Sequence, residues 1–217
     1  MLNDNTTTPQ SPQGNLSVCL SSAYLAPVEY YAALAKAETV YLECCDYYVK
    51  QTYRNRCHIA AANGMMVLSI PVEKPGKEKA LIRDIRISEH ADWQMNHWKS
   101  IESAYRSTPF FEYYKDDLLP FYEKQWTFLW DLNLELQAKL LELIDINPVI
   151  RFTEEYQPSL VGIQDLRDSI HPKKANLVES HNPYYQVFEQ KFGFQPNLSI
   201  IDLLFNMGNE SILTLIK

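Results

Sequence analysis

The sequence predicts an α/β domain with a partly parallel sheet, a β-hairpin and a helix-rich C-terminal half. Three observations lead to this fold class: a strand–helix–strand order near the start, a turn signal between two apolar runs, and helical spacing of apolar residues beyond residue 92. With 217 residues, 46% of them hydrophobic, the chain can bury a core of its own. We expect one domain over residues 16–217, preceded by a polar, disordered tail over residues 1–15.

The first elements predict a parallel unit. Leu16 to Ser21 is a short apolar run typical of a strand, and Thr39 to Cys45 is a second one. Between them, Pro27 opens a stretch through Ala37 whose apolar residues recur at helical spacing. Proline suits a first helical turn because its missing N–H would have no partner there. A strand, a helix and a strand in this order predict a parallel βαβ unit.

A hairpin is predicted next. Cys57 to Ala62 and Met65 to Pro71 flank Asn63-Gly64, a pair of residues that tolerates positive φ at both positions of a tight turn. After a charged loop, Leu81 to Ile87 is a further candidate strand.

The C-terminal half begins with three predicted helices, over Asp92–Arg106, Phe110–Leu119 and Phe121–Ile144. The third carries a single apolar stripe, which indicates a face packed in the core. Its members are Tyr122, Trp126, Leu129, Leu132, Leu136, Leu140 and Leu143.

Two shorter helices are predicted near the C-terminus, over Tyr184–Phe192 and Ser199–Asn206. Ser199 and Asp202 have the spacing of a capping box, with aspartate in place of glutamate. Gly208 is placed to end the last helix.

Charge and hydropathy exclude several classes of protein. The net charge of −7 argues against general nucleic-acid binding, which requires a basic surface. The apolar runs are far shorter than the roughly 18 residues of a membrane span. The first fifteen residues lack the basic and apolar regions of a secretory signal. These observations predict a cytoplasmic protein.

The residues that usually hold metals or nucleotides do not form the expected patterns. Cys19, Cys44, Cys45 and Cys57 lack paired Cys-x-x-Cys spacing, and we expect them to be buried, reduced thiols. The histidines and acidic residues show no spacing that would fix three metal ligands, so no metal is expected. The six glycines form neither a dinucleotide-binding fingerprint nor a P-loop. The sequence does not identify a cofactor or an oligomeric state.

The segment from Tyr47 to His58 concentrates basic and aromatic side chains in an otherwise acidic chain. Arginine binds carboxylate or phosphate through its planar fork, and lysine adds a mobile charge. Amide side chains can bind hydroxyl groups, and tyrosines can shape a pocket. We expect a site for a small anionic ligand, with a solvent-exposed turn as the alternative. Its candidate residues are Tyr24, Lys50, Gln51, Tyr53, Arg54, Asn55 and Arg56.

Two regions outside this segment bear on the site. Tyr24 to Pro27 lies between the first strand and the first helix, where open α/β sheets place ligands. Asp165, Arg167, His171 and Lys173 form a mixed charged loop that is either a lid or plain surface.

Glu102 is the candidate proton-transfer group. On a helical wheel it falls inside the apolar arc formed by Met95, Trp98, Ile101 and Tyr105. A carboxylate placed there must be paired or must have a raised pKa, and a raised pKa suits a general acid or base. Pairing with Arg54 or Arg56 and ordinary exposure are the alternatives. His97 flanks the same arc and is the best histidine candidate, although such a histidine is more often structural.

An ordered set of short blocks resembles the WbqC-like protein family over nearly the whole chain from about Leu16. Each block is short, and the specificity lies in their order. The blocks are Ser22-Ala23-Tyr24 with Pro27, Tyr48-x-Lys50-Gln51-x-Tyr53-Arg54-Asn55-Arg56, Leu68-Ser69-Ile70-Pro71-Val72, Trp93 with His97-Trp98, Ser107-x-Pro109-Phe110-Phe111, Asp131-x-Asn133, Asp165-x-Arg167, His171-Pro172-Lys173, Tyr185-x-Val187-Phe188 and Asn197-Leu198-Ser199-Ile200.

The resemblance implies a role in bacterial surface-polysaccharide, or O-antigen, biosynthesis. For this family an aminoacyl (glycyl) transferase role has been suggested from gene context, so we expect a transferase acting on a sugar or sugar nucleotide. Many members carry His-Gln-Pro after the first strand, where this chain has Ser21-Ser22-Ala23. If that histidine is a general base elsewhere, this chain uses another group. The alternative is a non-catalytic protein that binds an anionic sugar-derived ligand.

Overall fold

A computed structural model describes residues 16–74, 79–89, 92–176 and 182–217, so the tail predicted over residues 1–15 lies outside the described residues. The strands are β1 (Ser17–Ser21), β2 (Thr39–Glu43), β3 (Arg56–Ala61), β4 (Gly64–Ser69), β5 (Val149–Phe152) and β6 (Gln164–Asp165). The helices are α1 (Val28–Lys36), α2 (Trp93–Tyr105), α3 (Phe111–Leu118), α4 (Pro120–Glu123), α5 (Leu129–Ile144), α6 (Glu189–Phe192), α7 (Ile200–Met207) and α8 (Ser211–Ile216).

A parallel sheet is the centre of the fold. Its strand order is β5-β2-β1-β6, and each neighbouring pair runs parallel, with Leu20 opposite Leu42. Alternate residues point to opposite faces of a strand, and Val18, Leu20, Val40 and Leu42 join the main hydrophobic core with residues of α1. The predicted βαβ unit, and with it the predicted fold class, is confirmed.

The hairpin is also confirmed, with a different turn. β3 and β4 pair antiparallel from Arg56 opposite Ser69 to Ala61 opposite Gly64, so the connecting residues are Ala62 and Asn63. Gly64 has a φ of +107°, whereas Asn63 does not adopt positive φ. Only the glycine therefore uses the left-handed freedom that we expected of both residues.

The predicted strand over residues 81–87 is wrong. This segment contains a short 3-10 helix, Ile82–Asp84. Ile82 and Ile85 are both buried, and a spacing of three fits one face of a tight helical turn rather than one face of a strand.

The long helix predicted from Phe121 to Ile144 is divided into α4 and α5. Phe128 between them is extended, with φ −112° and ψ 138°. The backbone N–H groups of Leu129 and Ile87 donate to Ile85 and Thr127, so pairing with residues 85–87 replaces helical hydrogen bonds here. Tertiary pairing therefore overrides the local helical preference.

The C-terminal predictions are partly wrong. Helical structure in the Tyr184–Phe192 stretch is limited to α6. Ser199 precedes α7 but forms no capping box, because its hydroxyl donates to Leu25 O and the Asp202 carboxylate accepts from Tyr184 and Gln186. Gly208 ends α7 with a φ of +57°, as predicted. The strands β5 and β6 and the helix α8 were not predicted.

Candidate functional site

The parallel sheet has a topological switch point between β1 and β6. From β1 the chain passes through α1 to β2 on one side, whereas β6 pairs with the other side of β1. Open α/β sheets bind ligands outside the carboxyl ends of strands at such a point. A narrow crevice of about 10 Å³ lies there. It is lined by Leu20, Ser21, Ser22, Ala23, Tyr30, Thr52, Tyr53, Arg54, Leu166, Arg167 and Ile170.

Arg54 enters this crevice from the segment between β2 and β3. It is buried, and its Nη2 donates to Ser21 Oγ at 2.8 Å and to the Asp46 carboxylate at 3.0 Å. The side-chain amide of Asn133 in α5 donates to the backbone oxygen of Arg54 at 2.8 Å. The end of β1, the segment after β2 and helix α5 together hold this arginine in place.

Arg167 reaches the crevice from the end of β6. Its guanidinium donates to Glu43 at 2.8 Å, to Gln157 O at 2.8 Å and to Asp165 at 2.6 Å. Hydrogen bonds from Arg167 lower the pKa of Asp165, although partial burial opposes them. Its backbone oxygen accepts a hydrogen bond from Ser21 Oγ at 3.3 Å. The two arginines therefore meet at Ser21.

Polar atoms around the crevice remain without partners. Among the residues that the structure describes, the amide oxygens of Asn55 and Asn133 are buried without a hydrogen-bond partner, and so are three donors, Ser22 Oγ, Arg54 Nε and Arg56 Nε. Each can donate a hydrogen bond, so an acceptor seated at Ser22 and Arg54 would satisfy two of them. Ser22 is 1% exposed and Arg54 is 3% exposed, which makes such orphaned groups costly.

A loop with basic residues, 171–174, lies near Arg54 at the mouth of the crevice. The pKa of His171 is lowered, first by burial and then by the nearby charges of Lys174, Lys173 and Arg54, with Asp168 opposing. The backbone N–H of Lys173 donates to His171 Nδ1 at 3.0 Å, so a neutral His171 carries its proton on Nε2. The imidazole can therefore donate toward an anion.

Comparison with known proteins shows the family of this chain. The model of the WbqC-like protein family matches residues 22–167, which run from Ser22 of the crevice to Arg167. The chain belongs to the WbqC-like protein family. It is similar to Uncharacterized protein Rv1507c of Mycobacterium tuberculosis (strain ATCC 25618 / H37Rv), with 27% identity over 197 residues, covering 76% of this chain and 81% of that protein. No solved structure matches it.

In this WbqC-like protein, the predicted ligand residues divide into buried and exposed groups. Tyr53 and Asn55 are buried, and Asn55 Nδ2 donates to Ile70 O at 2.8 Å. Lys50 and Gln51 are exposed at the rim, where Lys173 Nζ donates to Gln51 Oε1 at 2.5 Å. This bond joins the segment before β3 to the loop after β6. From the sequence, that loop is either a lid or plain surface.

Arg56 begins β3 and is partly buried. Burial raises the pKa of the Tyr48 phenol, whereas the guanidinium groups of Arg56 and Arg54 lower it. Both arginines therefore lie near Tyr48. The pKa of His58 is lowered mainly by burial and also by the charge of Arg56.

Tyr24 and His97 lie together in the core. Tyr24 Oη is 2.9 Å from His97 Nδ1 and 2.9 Å from Tyr122 Oη. Burial lowers the pKa of His97 to about 4, and a hydrogen bond with the backbone of Ser69 opposes this shift. Trp93 packs edge-on to the imidazole at 5.2 Å between ring centroids. A neutral, enclosed His97 fits the structural alternative for this residue.

The predicted inward position of Glu102 is wrong. Glu102 is exposed, and so is Met95 of the predicted arc. The buried residues of α2 are instead Trp93, His97, Ile101, Ala104 and Tyr105. The buried face of α2 therefore includes its first residue, Trp93, and differs from the predicted arc. On this face Glu102 points to solvent.

The cysteines are free thiols, and two of them differ from expectation. Cys19 and Cys57 are buried, whereas Cys44 and Cys45 at the end of β2 are partly exposed. Within the described ranges, no group of three or more His, Cys, Asp or Glu side chains is placed to hold a metal ion. None of the described helices is both long enough and apolar enough to cross a membrane.

Proposed function

We propose that this protein binds a small anionic ligand, a phosphate- or carboxylate-bearing sugar derivative, at the crevice between the carboxyl ends of β1 and β6. One observation carries the proposal: Ser22 Oγ and Arg54 Nε line the crevice, are buried, and have no partner among the described residues. Leaving a buried donor unsatisfied costs about 1–3 kcal/mol. A bound anion that accepts from both groups would recover this free energy.

The electrostatics of the mouth support an anion. Lys173, Lys174 and Arg54 all lower the pKa of His171, against Asp168, in a chain whose net charge is −7. Of these, Arg54 is paired with Asp46. A local positive field in an acidic protein concentrates small anions at one place on its surface. The Nε2–H of His171 and the rim residue Lys50 would extend the contacts outward.

Ser22→Ala tests the proposal with little risk to folding. The change removes a buried hydroxyl that lacks a partner, so the free protein should be equally or more stable. A hydrogen bond to a charged group contributes about 1.5–3 kcal/mol, so the affinity for inorganic phosphate should fall about 10–100-fold. Isothermal titration calorimetry with inorganic phosphate and with acetate measures this loss.

A matched variant controls for the loss of a serine hydroxyl. Ser100→Ala changes a hydroxyl on α2 that bonds Asn96 O, away from the crevice lining. It should leave anion affinity unchanged. If Ser22→Ala binds inorganic phosphate as tightly as the unmodified protein does, the crevice is not the anion site.

An aminoacyl (glycyl) transferase acting on a sugar or sugar nucleotide in surface-polysaccharide biosynthesis is the second candidate. It requires a group that takes the proton of the attacking amine or hydroxyl near the bound anion. Asp46 is placed for this role, because its carboxylate bonds Arg54 and its side chain is 20% exposed. The exposed Glu102 and the enclosed His97 are less suited to it.

A thermal-shift screen separates the two candidates. The panel would contain sugar nucleotides, acyl phosphates, amino acids and coenzyme A derivatives. A ligand at about 100 times its Kd adds roughly 2.7 kcal/mol to stability. A stabilising donor and acceptor pair, with turnover lost in Asp46→Asn, would favour the transferase. Stabilisation by sugar phosphates without turnover would favour binding.

A further inference from the structure

A larger groove lies on the second face of the parallel sheet. Its volume is about 660 Å³, within the range of small-molecule sites. One wall is formed by Cys19, Tyr41 and Glu43, which alternate with the core-facing residues of β1 and β2. The opposite wall comes from the end of β5 and the segment after it, and includes Phe152, Glu154 and Gln157.

The crevice and the groove differ in what they can hold. At about 10 Å³ the crevice has room for little more than one water-sized group. It suits the oxygen of an anionic group and excludes a ring. A ligand anchored there must place the rest of its atoms elsewhere, and the groove is large enough for a ring with several substituents.

Arg167 connects the two spaces. It lines the crevice, where its backbone oxygen accepts from Ser21 Oγ. Its guanidinium extends to Glu43 and to the backbone oxygen of Gln157, two residues that line the groove. Arg167 therefore lies between the two spaces, because it borders the crevice and bonds two residues that line the groove. A ligand that contacts both spaces would extend across this side chain.

The groove walls combine aromatic rings with hydrogen-bond acceptors. Tyr41 is partly exposed and Phe152 is 53% exposed, and the Phe152 ring also packs against Trp130 at 5.9 Å between ring centroids. Both residues therefore leave aromatic surface on the groove side. Glu154 and Glu155 are exposed and accept hydrogen bonds from hydroxyl groups. The lining carries charges of both signs, since the exposed Arg151 stands with Glu154 and Glu155, and Glu43 is paired with Arg167. This chemistry suits an uncharged ring that carries hydroxyl groups.

We infer that the ligand of this site is a phosphorylated, hydroxyl-bearing ring, with its phosphate at the crevice and its ring in the groove. This inference rests on the proposed function, because it takes the crevice as the anion site. Sugar phosphates and nucleotides share this chemistry, and the experiment distinguishes them.

The test compares ligands with and without the ring by isothermal titration calorimetry. The probes are inorganic phosphate, glucose 1-phosphate, uridine 5′-monophosphate and glucose. Aromatic contact and ring burial should make at least one phosphorylated ring bind about tenfold more tightly than inorganic phosphate. Preference for glucose 1-phosphate identifies a sugar phosphate, and preference for uridine 5′-monophosphate identifies a nucleotide.

Variants locate the ring. Tyr41→Ala should bring the affinity for the preferred probe to within about twofold of that for inorganic phosphate, while phosphate affinity stays unchanged. Glu154→Ala, an exposed change with little risk to folding, should weaken the same probe in the same selective way. Tyr113 is 70% exposed on α3 and lines neither space, so Tyr113→Ala is the matched control.

Failure of the inference and failure of the proposed function give different results. If inorganic phosphate binds through Ser22 but neither phosphorylated ring binds more tightly than phosphate, the groove is not the ring site. The proposal that the crevice binds the anion is then retained. An affinity gain that survives both Tyr41→Ala and Glu154→Ala also overturns the groove. If inorganic phosphate does not bind at all, the crevice is overturned and this inference falls with it.

Discussion

The Arg167 guanidinium donates a 2.8 Å hydrogen bond to the Glu43 carboxylate, and the two side chains are only 5% and 1% exposed. Glu43 ends β2 and Arg167 follows β6, two strands that lie on opposite sides of β1. The ion pair therefore ties together the carboxyl ends of strands that are not neighbours. This tie holds Arg167 in position between the crevice and the groove.

Glu43→Gln should destabilise the protein strongly. Removing one partner of a buried ion pair costs about 3–5 kcal/mol, because the other charge is left uncompensated. Asp165 still offsets part of the Arg167 charge, so we expect about 3 kcal/mol, measured by urea denaturation. The control is Glu135→Gln, which breaks an exposed pair with Lys124 and should cost about 1 kcal/mol or less. Equal losses in both variants would contradict a structural role for the buried pair.

The parts of the fold that the sequence predicts are those set by local pattern. β1, α1, β2 and the hairpin each follow from periodicity or turn chemistry. β5 and β6 do not, because β5 has four mainly exposed residues and β6 has two. β6 exists through the backbone pairing of Gln164 and Asp165 with Val18 and Cys19. Such long-range pairing produces no recognisable pattern in the sequence of a short polar segment.

The candidate site could be predicted only in part for the same reason. The cluster of basic residues around Arg54 in an acidic chain predicts it as a ligand residue, and the structure places it in the crevice lining. Arg167 was noticed in a charged loop, but its place in the crevice depends on β6, which sequence reasoning missed. Ser22 lies where the family pattern departs from His-Gln-Pro, and that departure was the signal that could have found it. Glu102 was misplaced because helical periodicity alone did not fix which face of α2 is buried.

Asp202 should make the protein less stable as the pH rises from about 4 to about 6. Burial raises the pKa of its carboxyl to about 6, against hydrogen bonds from Tyr184, Tyr105 and Gln186. In the unfolded chain this pKa is about 3.9. Between the two values the native state holds a proton that the unfolded state has released, so rising pH favours unfolding by about 3 kcal/mol in all.

Asp202→Asn measures this contribution. The asparagine oxygen can still accept from Tyr184, while the titrating group is gone. We compare the free energies of unfolding of the variant and the unmodified protein. The difference, variant minus unmodified, should rise between pH 4 and pH 6 and then level off. Urea denaturation at several pH values measures it. A difference that stays constant with pH would show that Asp202 does not titrate in this window.

His97 should contribute with the opposite sign. Burial lowers its pKa to about 4, compared with about 6.5 in an unfolded chain. As the pH falls through this window, the unfolded state takes up a proton that the native state does not, so stability is lost on acidification. The loss is about 3 kcal/mol when the pH has fallen below 4.

His97→Gln should show a smaller loss of stability between pH 7 and pH 4.5 than the unmodified protein, even though the loss of the Tyr24 contact lowers its stability at pH 7. The test therefore uses the slope of the free energy of unfolding against pH and not its absolute value. Parallel pH profiles for the two proteins would mean that His97 has the same pKa in the native and unfolded states.

Gly208 ends α7 and lies against the ring of Phe110, and the Gly208→Ala variant should be among the more destabilised single variants of this chain. Its φ of +57° with a ψ of −133° is a backbone conformation that glycine adopts readily and alanine adopts at a cost of about 1–3 kcal/mol. A Cβ at this position would also lie 2.7 Å from the Phe110 ring, and relieving such an overlap costs typically about 1–3 kcal/mol more.

Gly193 provides the matched control for this glycine, because it follows α6 with a φ of +70° and a Cβ added there would meet no atom within 4 Å. Gly193→Ala should therefore lower Tm by only a few degrees, and Gly208→Ala by about twice as much or more. Equal shifts in calorimetry would show that the Phe110 ring moves aside at little cost and that backbone conformation alone determines both effects.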